Sequence, residues 1–233
     1  NCEFHSCHDI MLTDIETPKK PDNTYYTQFS SYLNKTMETM KNKVKDLDYL
    51  DISHKITKVP KLKKIKCKIT SKKLNSFYNH NPDINVNGGR ILAKKILKNI
   101  SEQKDYDKLR GLCDYKSTYL SAYIKFGCVS IREVYHSFVN ALGIHSGLVK
   151  QLYWREFYYY LIYHFPETYN EKKGLKKAYQ NFPWSQDKNK FEAWSKGETG
   201  FPIVDASMRH LNKTGYMPNR SRLIVANFLT KLL

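Results

Sequence analysis

Apolar side chains recur along this chain at spacings of three and four, the period at which they line one face of an α-helix. From Tyr26 to about Met40, the positions Phe29, Leu33 and Met37, with Tyr32 and Met40, predict a first helix. Residues 41–80 lose this pattern and become Lys-rich; Lys64 to Thr70 alternates like a short strand, but a linker is the expected role. After Asn87-Gly88-Gly89 dense helical patterning returns, and Ile91, Leu92, Ile96 and Ile100 predict an amphipathic helix. Another is predicted from Ser117 to Gly127, and Ser130 and Glu133 then stand at capping-box spacing ahead of Val134, Phe138 and Leu142. Leu148 to Phe165 is strongly apolar, with Leu152, Leu161 and Ile162 as core candidates. Pro202, tolerated in a first turn, opens a helix bearing Val204, Met208 and Leu211; Pro218 opens the last, bearing Ile224, Phe228 and Leu232. The expected fold is mainly α. A boundary near residue 86 separates a linker region, 1–85, from a helical body, 86–233.

Composition narrows the partners. Lys and Arg total 39 against 22 Asp and Glu, a net charge of +17, which favours a polyanion: nucleic acid first, an acidic membrane surface second. Nine Lys between Lys55 and Lys73 read as a solvated face, with contact to DNA as the other possibility. A mean hydropathy of −0.63 and no long apolar run leave no predicted membrane span, and nothing at the start has the form of a secretory signal, so an intracellular setting is expected. The chain opens on Asn1 rather than Met, so a start is expected upstream. Cys2, Cys7, Cys67, Cys113 and Cys128 are an odd, scattered set, which favours a reducing compartment over a disulfide framework. Cys2, His5, Cys7 and His8 have metal-ligand chemistry, but no second pair at ligand spacing follows, and no metal is expected.

Four clusters carry candidate chemistry. Gln151, Trp154, Arg155 and Tyr158 share one helix face, where an aromatic plane, a guanidinium and an amide can stack on a base and bond its edge or phosphate. The same residues also fit a packed helix pair with Trp154 in the core and Arg155 paired to Glu156 or Asp205. Asn219, Arg222 and Ala226 share another face; a buried Arg there needs an anionic or heterocyclic ligand, or else a nearby carboxylate. Ser117, Thr118 and Ser121 stand at a predicted helix start, one short loop after Tyr106 and Arg110, and fit either a phosphate or ordinary capping. Trp184 and Trp194, ten residues apart, fit core or groove aromatics.

In the same order, the segments Y-D-K-L-R (106–110), S-T-Y-L-S-A-Y-I-K-F-G-C-V-S-I-R (117–132), Q-L-Y-W-R-E-F-Y (151–158), W-S-K-G-E-T-G-F-P-I-V-D-A-S-M-R (194–209) and M-P-N-R-S-R (217–222) closely resemble the DNA photolyase/cryptochrome family. The resemblance covers about residues 86–233, and N-T-Y-Y-T-Q-F-S-S-Y (23–32) is similar to the place where the family's α/β domain gives way to its linker. It implies the N-terminal portion of an all-helical FAD-binding domain, preceded by the end of an α/β domain and a linker. It also implies that Tyr106, Ser117, Thr118, Leu120 and Ser121 grip the flavin phosphates with Arg155 nearby, and that Asn219 and Arg222 flank the isoalloxazine. Gln151 and Trp154 would face a flipped pyrimidine dimer, with Arg155, Tyr216 and Arg220 also toward DNA, and Trp184 would be the surface end of an electron relay. The implied reaction is light-driven electron donation from reduced FAD that splits a cyclobutane pyrimidine dimer, the protein supplying binding and orientation.

Gln151 stands where such enzymes commonly carry Glu, Tyr216 replaces a common Trp, and Pro218 occupies the place of a His that 6-4 photolyases use as proton donor, which favours cyclobutane dimers. The resemblance stops short of the family's remaining relay tryptophans, so a fragment, or a piece completed by a separately encoded C-terminal chain, is expected. A cryptochrome-like photoreceptor and a nucleic-acid-binding helical module without flavin are the alternative readings.

Overall fold

The computed structural model describes residues 10–39, 44, 73, 76–169, 179 and 181–233. The Lys64–Thr70 alternation, most of the Lys-rich stretch and the Cys2, His5, Cys7 and His8 cluster lie outside them. Among the described residues all regular structure is helical.

The helices are α1 (Phe29–Thr39), α2 (Arg90–Lys98), α3 (Tyr106–Leu109), α4 (Leu120–Lys125), α5 (Ile131–Leu142), α6 (Gly147–His164), α7 (Lys188–Lys196), α8 (Pro202–Thr214) and α9 (Asn219–Leu232). Their ends follow local chemistry. Ser130 accepts from the Arg132 N–H and Ser146 from the Val149 N–H, while Asp187 accepts from the Asn189 and Lys190 N–H groups. Pro202 stands in the first turn of α8 as expected. The Glu133 carboxylate also accepts from Arg90 in two parallel bonds of 3.0 and 3.1 Å that tie α2 to α5.

Two cores result. The larger gathers Leu12, Phe29 and Tyr32 with residues of α2, α4, α5 and α6, so segments before residue 86 share it. Helix α6 is its axis: Leu148, Val149, Leu152, Tyr153, Phe157 and Tyr160 are all buried. Some expected faces turn out differently. Ile91 is 85% exposed and Leu92 40%, while Ile100 is buried as expected, together with Ala93 and Leu97 from outside the expected stripe. Both stripes have helical spacing, and the Arg90–Glu133 bridge at the start of α2 accompanies the inward turn of the second. Ile162 and Leu232 are exposed as well, whereas Leu152 and Phe228 are core. The predicted helix at Ser117 begins only at Leu120, because Tyr119 takes a left-handed conformation, φ 53°.

The smaller core joins α7, α8 and α9 through Val204, Met208, Met217, Val225 and Phe228, with Trp194 packed against them. Trp194 donates its indole N–H to the Val225 carbonyl at 3.0 Å, which fixes α7 on α9. Asp205, buried in the first turn of α8, accepts from the Thr199 N–H, the Thr199 hydroxyl and the Gly200 N–H, and so shapes the T-G-F-P entry. The Thr199 hydroxyl bond is the largest of the effects holding its pKa below the ordinary carboxylate value. Segment 81–88 laces the cores together: Asn85 N–H donates to Thr214 O at 3.1 Å, and Asn81 Nδ2 to Lys213 O at 2.9 Å.

Candidate functional site

Two hollows lie where the two cores meet. The first, about 330 Å³, is bounded by α3, the lead-in to α4, α6 and the start of α9. Arg110, Arg155 and Arg222 line it together with Ser117, Thr118, Ser121, Gln151 and Asn219, and among the described residues no carboxylate does. Tyr106, Tyr115, Tyr119 and Tyr216 supply rings; Tyr119 and Tyr216 meet edge to face at 4.6 Å. Burial raises the pKa of Tyr106 and of Tyr216, so their phenols remain neutral donors near pH 7. The hollow is therefore cationic and rich in hydroxyl groups, the donor set that anionic oxygens require.

The second hollow, about 970 Å³, is lined by Val86, Ala122, Phe126, Trp194, Met208, Leu211, Met217, Val225 and Leu229 among others. It shares Ser121, Tyr216 and Arg222 with the first. A cationic compartment thus adjoins an apolar one along three common residues.

Of the residues singled out in the sequence, Tyr106, Ser117, Thr118, Leu120, Ser121, Gln151, Arg155, Tyr216, Asn219 and Arg222 surround the first hollow. Trp154 is not among its lining residues. Its indole stacks on Phe29 at 3.6 Å, with Tyr158 on the same side of α6 at 5.8 Å. Arg220 lines a different depression on the far side of α9, with Phe201 and Leu223. Trp184, 47% exposed, lies before α7 and contacts Phe182 at 4.6 Å.

The cost argument for a buried Arg222 does not hold: Arg222 and Asn219 are both exposed to the open hollow. Arg222 is held by its own connection instead, donating from Nη2 to Met217 O at 3.1 Å, and among the described residues it has no carboxylate partner. For Arg155 the pairing with Glu156 does form, at 3.6 Å, while Asp205 is engaged elsewhere. Arg155 also donates from Nη1 to Ile10 O at 2.6 Å and lies over the Tyr159 ring. Tyr115 and Tyr119 were missed in the sequence because neither has a periodic partner, and a left-handed Tyr leaves no local signature. Among the described residues no cluster of three metal-ligating side chains occurs, and no helix is long and apolar enough to cross a membrane.

Fold and site define, among the described residues, a helical domain built around a cleft with one cationic and one apolar compartment. A family model, the FAD binding domain of DNA photolyase, matches residues 148–233. A deoxyribodipyrimidine photo-lyase of Alkalihalophilus pseudofirmus is 39% identical over 145 residues, covering 61% of this chain and 29% of that protein. A cryptochrome DASH of Synechocystis is 39% identical over 140 residues, covering 56% and 28%. The crystal structure of a class III photolyase from Agrobacterium tumefaciens superposes with a TM-score of 0.74 at 25% identity, over 96% of this chain and 47% of that one. The chain is thus similar, over these stretches, to proteins of the DNA photolyase/cryptochrome family. It spans less than a third of those two sequence relatives and about half of the solved structure.

Proposed function

We propose that this chain is a photolyase-type module that binds FAD across the paired hollows and serves light-driven repair of cyclobutane pyrimidine dimers in DNA. The observation that carries the reading is the junction of the two compartments at Ser121, Tyr216 and Arg222. A dinucleotide flavin has one polyanionic part and one flat, weakly polar part, and the lining fits both. Three guanidinium groups and several hydroxyls, with no carboxylate among the described lining residues, suit a pyrophosphate; Met208, Met217 and Val225 suit a ring system.

In this reading Tyr106, Ser117, Thr118, Leu120, Ser121 and Arg155 hold the phosphates, while Asn219 and Arg222 stand beside the ring. Gln151 and Trp154 face a flipped pyrimidine dimer, Arg155, Tyr216 and Arg220 meet DNA, and Trp184 serves as the outer member of an electron relay. Reduced FAD, when bound, supplies the photoexcited electron. The excess of 39 basic over 22 acidic residues holds the DNA backbone. Residues 1–85 are then the end of an α/β domain with its linker, 86–233 part of the helical domain, and the setting intracellular. The open apolar compartment supports one further partner: a stretch of polypeptide, continuous with this chain or separately encoded, that covers it.

A second reading, a cryptochrome-like photoreceptor, is favoured by one observation: Trp154 is engaged with Phe29 rather than lining the hollow. Titrating the purified chain with FAD and following flavin absorbance and fluorescence tests the shared premise. Blue-light repair of a thymine-dimer oligonucleotide then separates the two. FAD binding with repair is expected; binding without repair would favour the photoreceptor, and no binding would leave a helical nucleic-acid-binding module.

A further inference from the structure

Beside the cationic hollow, and not lining it, is a carboxylate with no solvent contact. Glu156 is 0% exposed, and its Oε2 accepts from the Leu12 N–H at 2.9 Å, the Thr13 N–H at 3.2 Å and the Thr13 hydroxyl at 3.2 Å. Among the described residues its Oε1 has no hydrogen-bond partner, and it faces Arg155 Nη1 at 3.6 Å. The Arg155 guanidinium is thereby held from three sides: by the Ile10 carbonyl, by the face of Tyr159 and by Glu156. What remains of it lines the hollow.

We propose that Glu156 is a positioning residue that sets how much of the Arg155 charge is available to an anion in the hollow, so that anion binding there takes up a proton. Resting on the flavin reading of that hollow, the proposal adds a coupling no lining residue supplies. While Glu156 is ionised its charge offsets that of Arg155. Once it is protonated, the Ile10 carbonyl and Tyr159 still hold the guanidinium in place, and the full positive charge faces the ligand. The groups that face Glu156 besides Arg155 are the Tyr32 phenol on α1, the Tyr153 phenol on α6 and the Thr13 hydroxyl in the segment before α1. Burial pushes both phenols well up, so they stay neutral at any moderate pH. Burial likewise pushes the Glu156 carboxyl up, to about 7, against the opposing pull of the Leu12 and Thr13 donors. Its titration therefore falls in the neutral range. A bound polyanion raises it further, and by linkage proton uptake accompanies binding.

The probe is FAD, whose pyrophosphate keeps its charge throughout this range. If binding lifts the Glu156 carboxyl by about one unit, affinity is about fivefold tighter at pH 6 than at pH 8, and about 0.4 proton is taken up at pH 7. Fluorescence titration measures the first, and calorimetry in two buffers of different ionisation enthalpy the second. Glu156→Gln keeps the shape and should remove the uptake and that share of the pH dependence. Should the variant not fold, infrared difference spectra of the unaltered chain on adding FAD at pH 7 replace it, and the gain of a protonated-carboxyl band is expected. A parent chain that does not bind FAD overturns the flavin reading and this proposal with it. Binding without proton uptake, uptake that persists in Glu156→Gln, or no carboxyl band overturns this proposal alone.

Discussion

The start of α6 offers a test of how the helix is anchored. Gly147, its first residue, is buried and donates its N–H to Asp107 Oδ2 at 2.9 Å, so a carboxylate from α3 caps the positive end of the helix. A methyl group on Gly147 would overlap that carboxylate. Gly147→Ala therefore expels Asp107 and loses a cap of about 1 kcal/mol. It also regains about 0.4–1 kcal/mol, because Ala has less freedom to lose on folding than Gly. The two terms nearly cancel, leaving the single variant slightly less stable. In an Asp107→Ala background nothing remains to be expelled, and the same substitution should stabilise by the full entropic gain. Urea denaturation of the four chains, followed by circular dichroism, gives a coupling energy of about 1 kcal/mol between the sites. Gly147→Ala with the same effect in both backgrounds would refute the capping argument.

Three further expectations follow from the geometry. Glu156 titrates near 7 when folded against 4.5 ordinarily, so the folded chain holds a proton that the unfolded chain releases; stability is greatest below about 4.5 and about 3 kcal/mol is lost as pH rises through 7. Glu156→Gln should lack that slope in denaturation midpoints measured from pH 4.5 to 8, and an unchanged slope would exclude Glu156 as its source. Arg222→Ala should release FAD, since losing a hydrogen bond to a charged group costs about 1.5–3 kcal/mol, a Kd higher by about tenfold to a hundredfold; equal flavin content after desalting would remove Arg222 from the site. Asp205→Ala should lower the urea midpoint by undoing the Thr199–Gly200 turn, with the difference from the parent greatest at neutral pH and vanishing in acid, because the native carboxylate is held below its ordinary pKa.

Order along the chain, with short-range chemistry, determined where most helices begin and end. Ser146 and Asp187 accept from the first turns of α6 and α7, Pro202 opens α8, and Gly197 and Gly215 take left-handed conformations just after α7 and α8. These devices act within a few residues, so they can be read without knowing the fold. The same holds for the motifs, whose order along the chain already pointed to this family. Side-chain partners were a different matter. Periodicity put Ile91 and Leu92 on the buried face of α2, and packing buried Ala93 and Leu97 instead. Helical spacing put Trp154 and Arg155 next to each other, but tertiary contacts sent the first onto Phe29 and tied the second to Ile10. Nothing local foretold that Tyr119 would meet Tyr216, or that a cationic hollow would adjoin an apolar one at Arg222. Helix geometry fixes the angle between side chains of one element, whereas which of them touch across elements is decided by the burial of the whole chain.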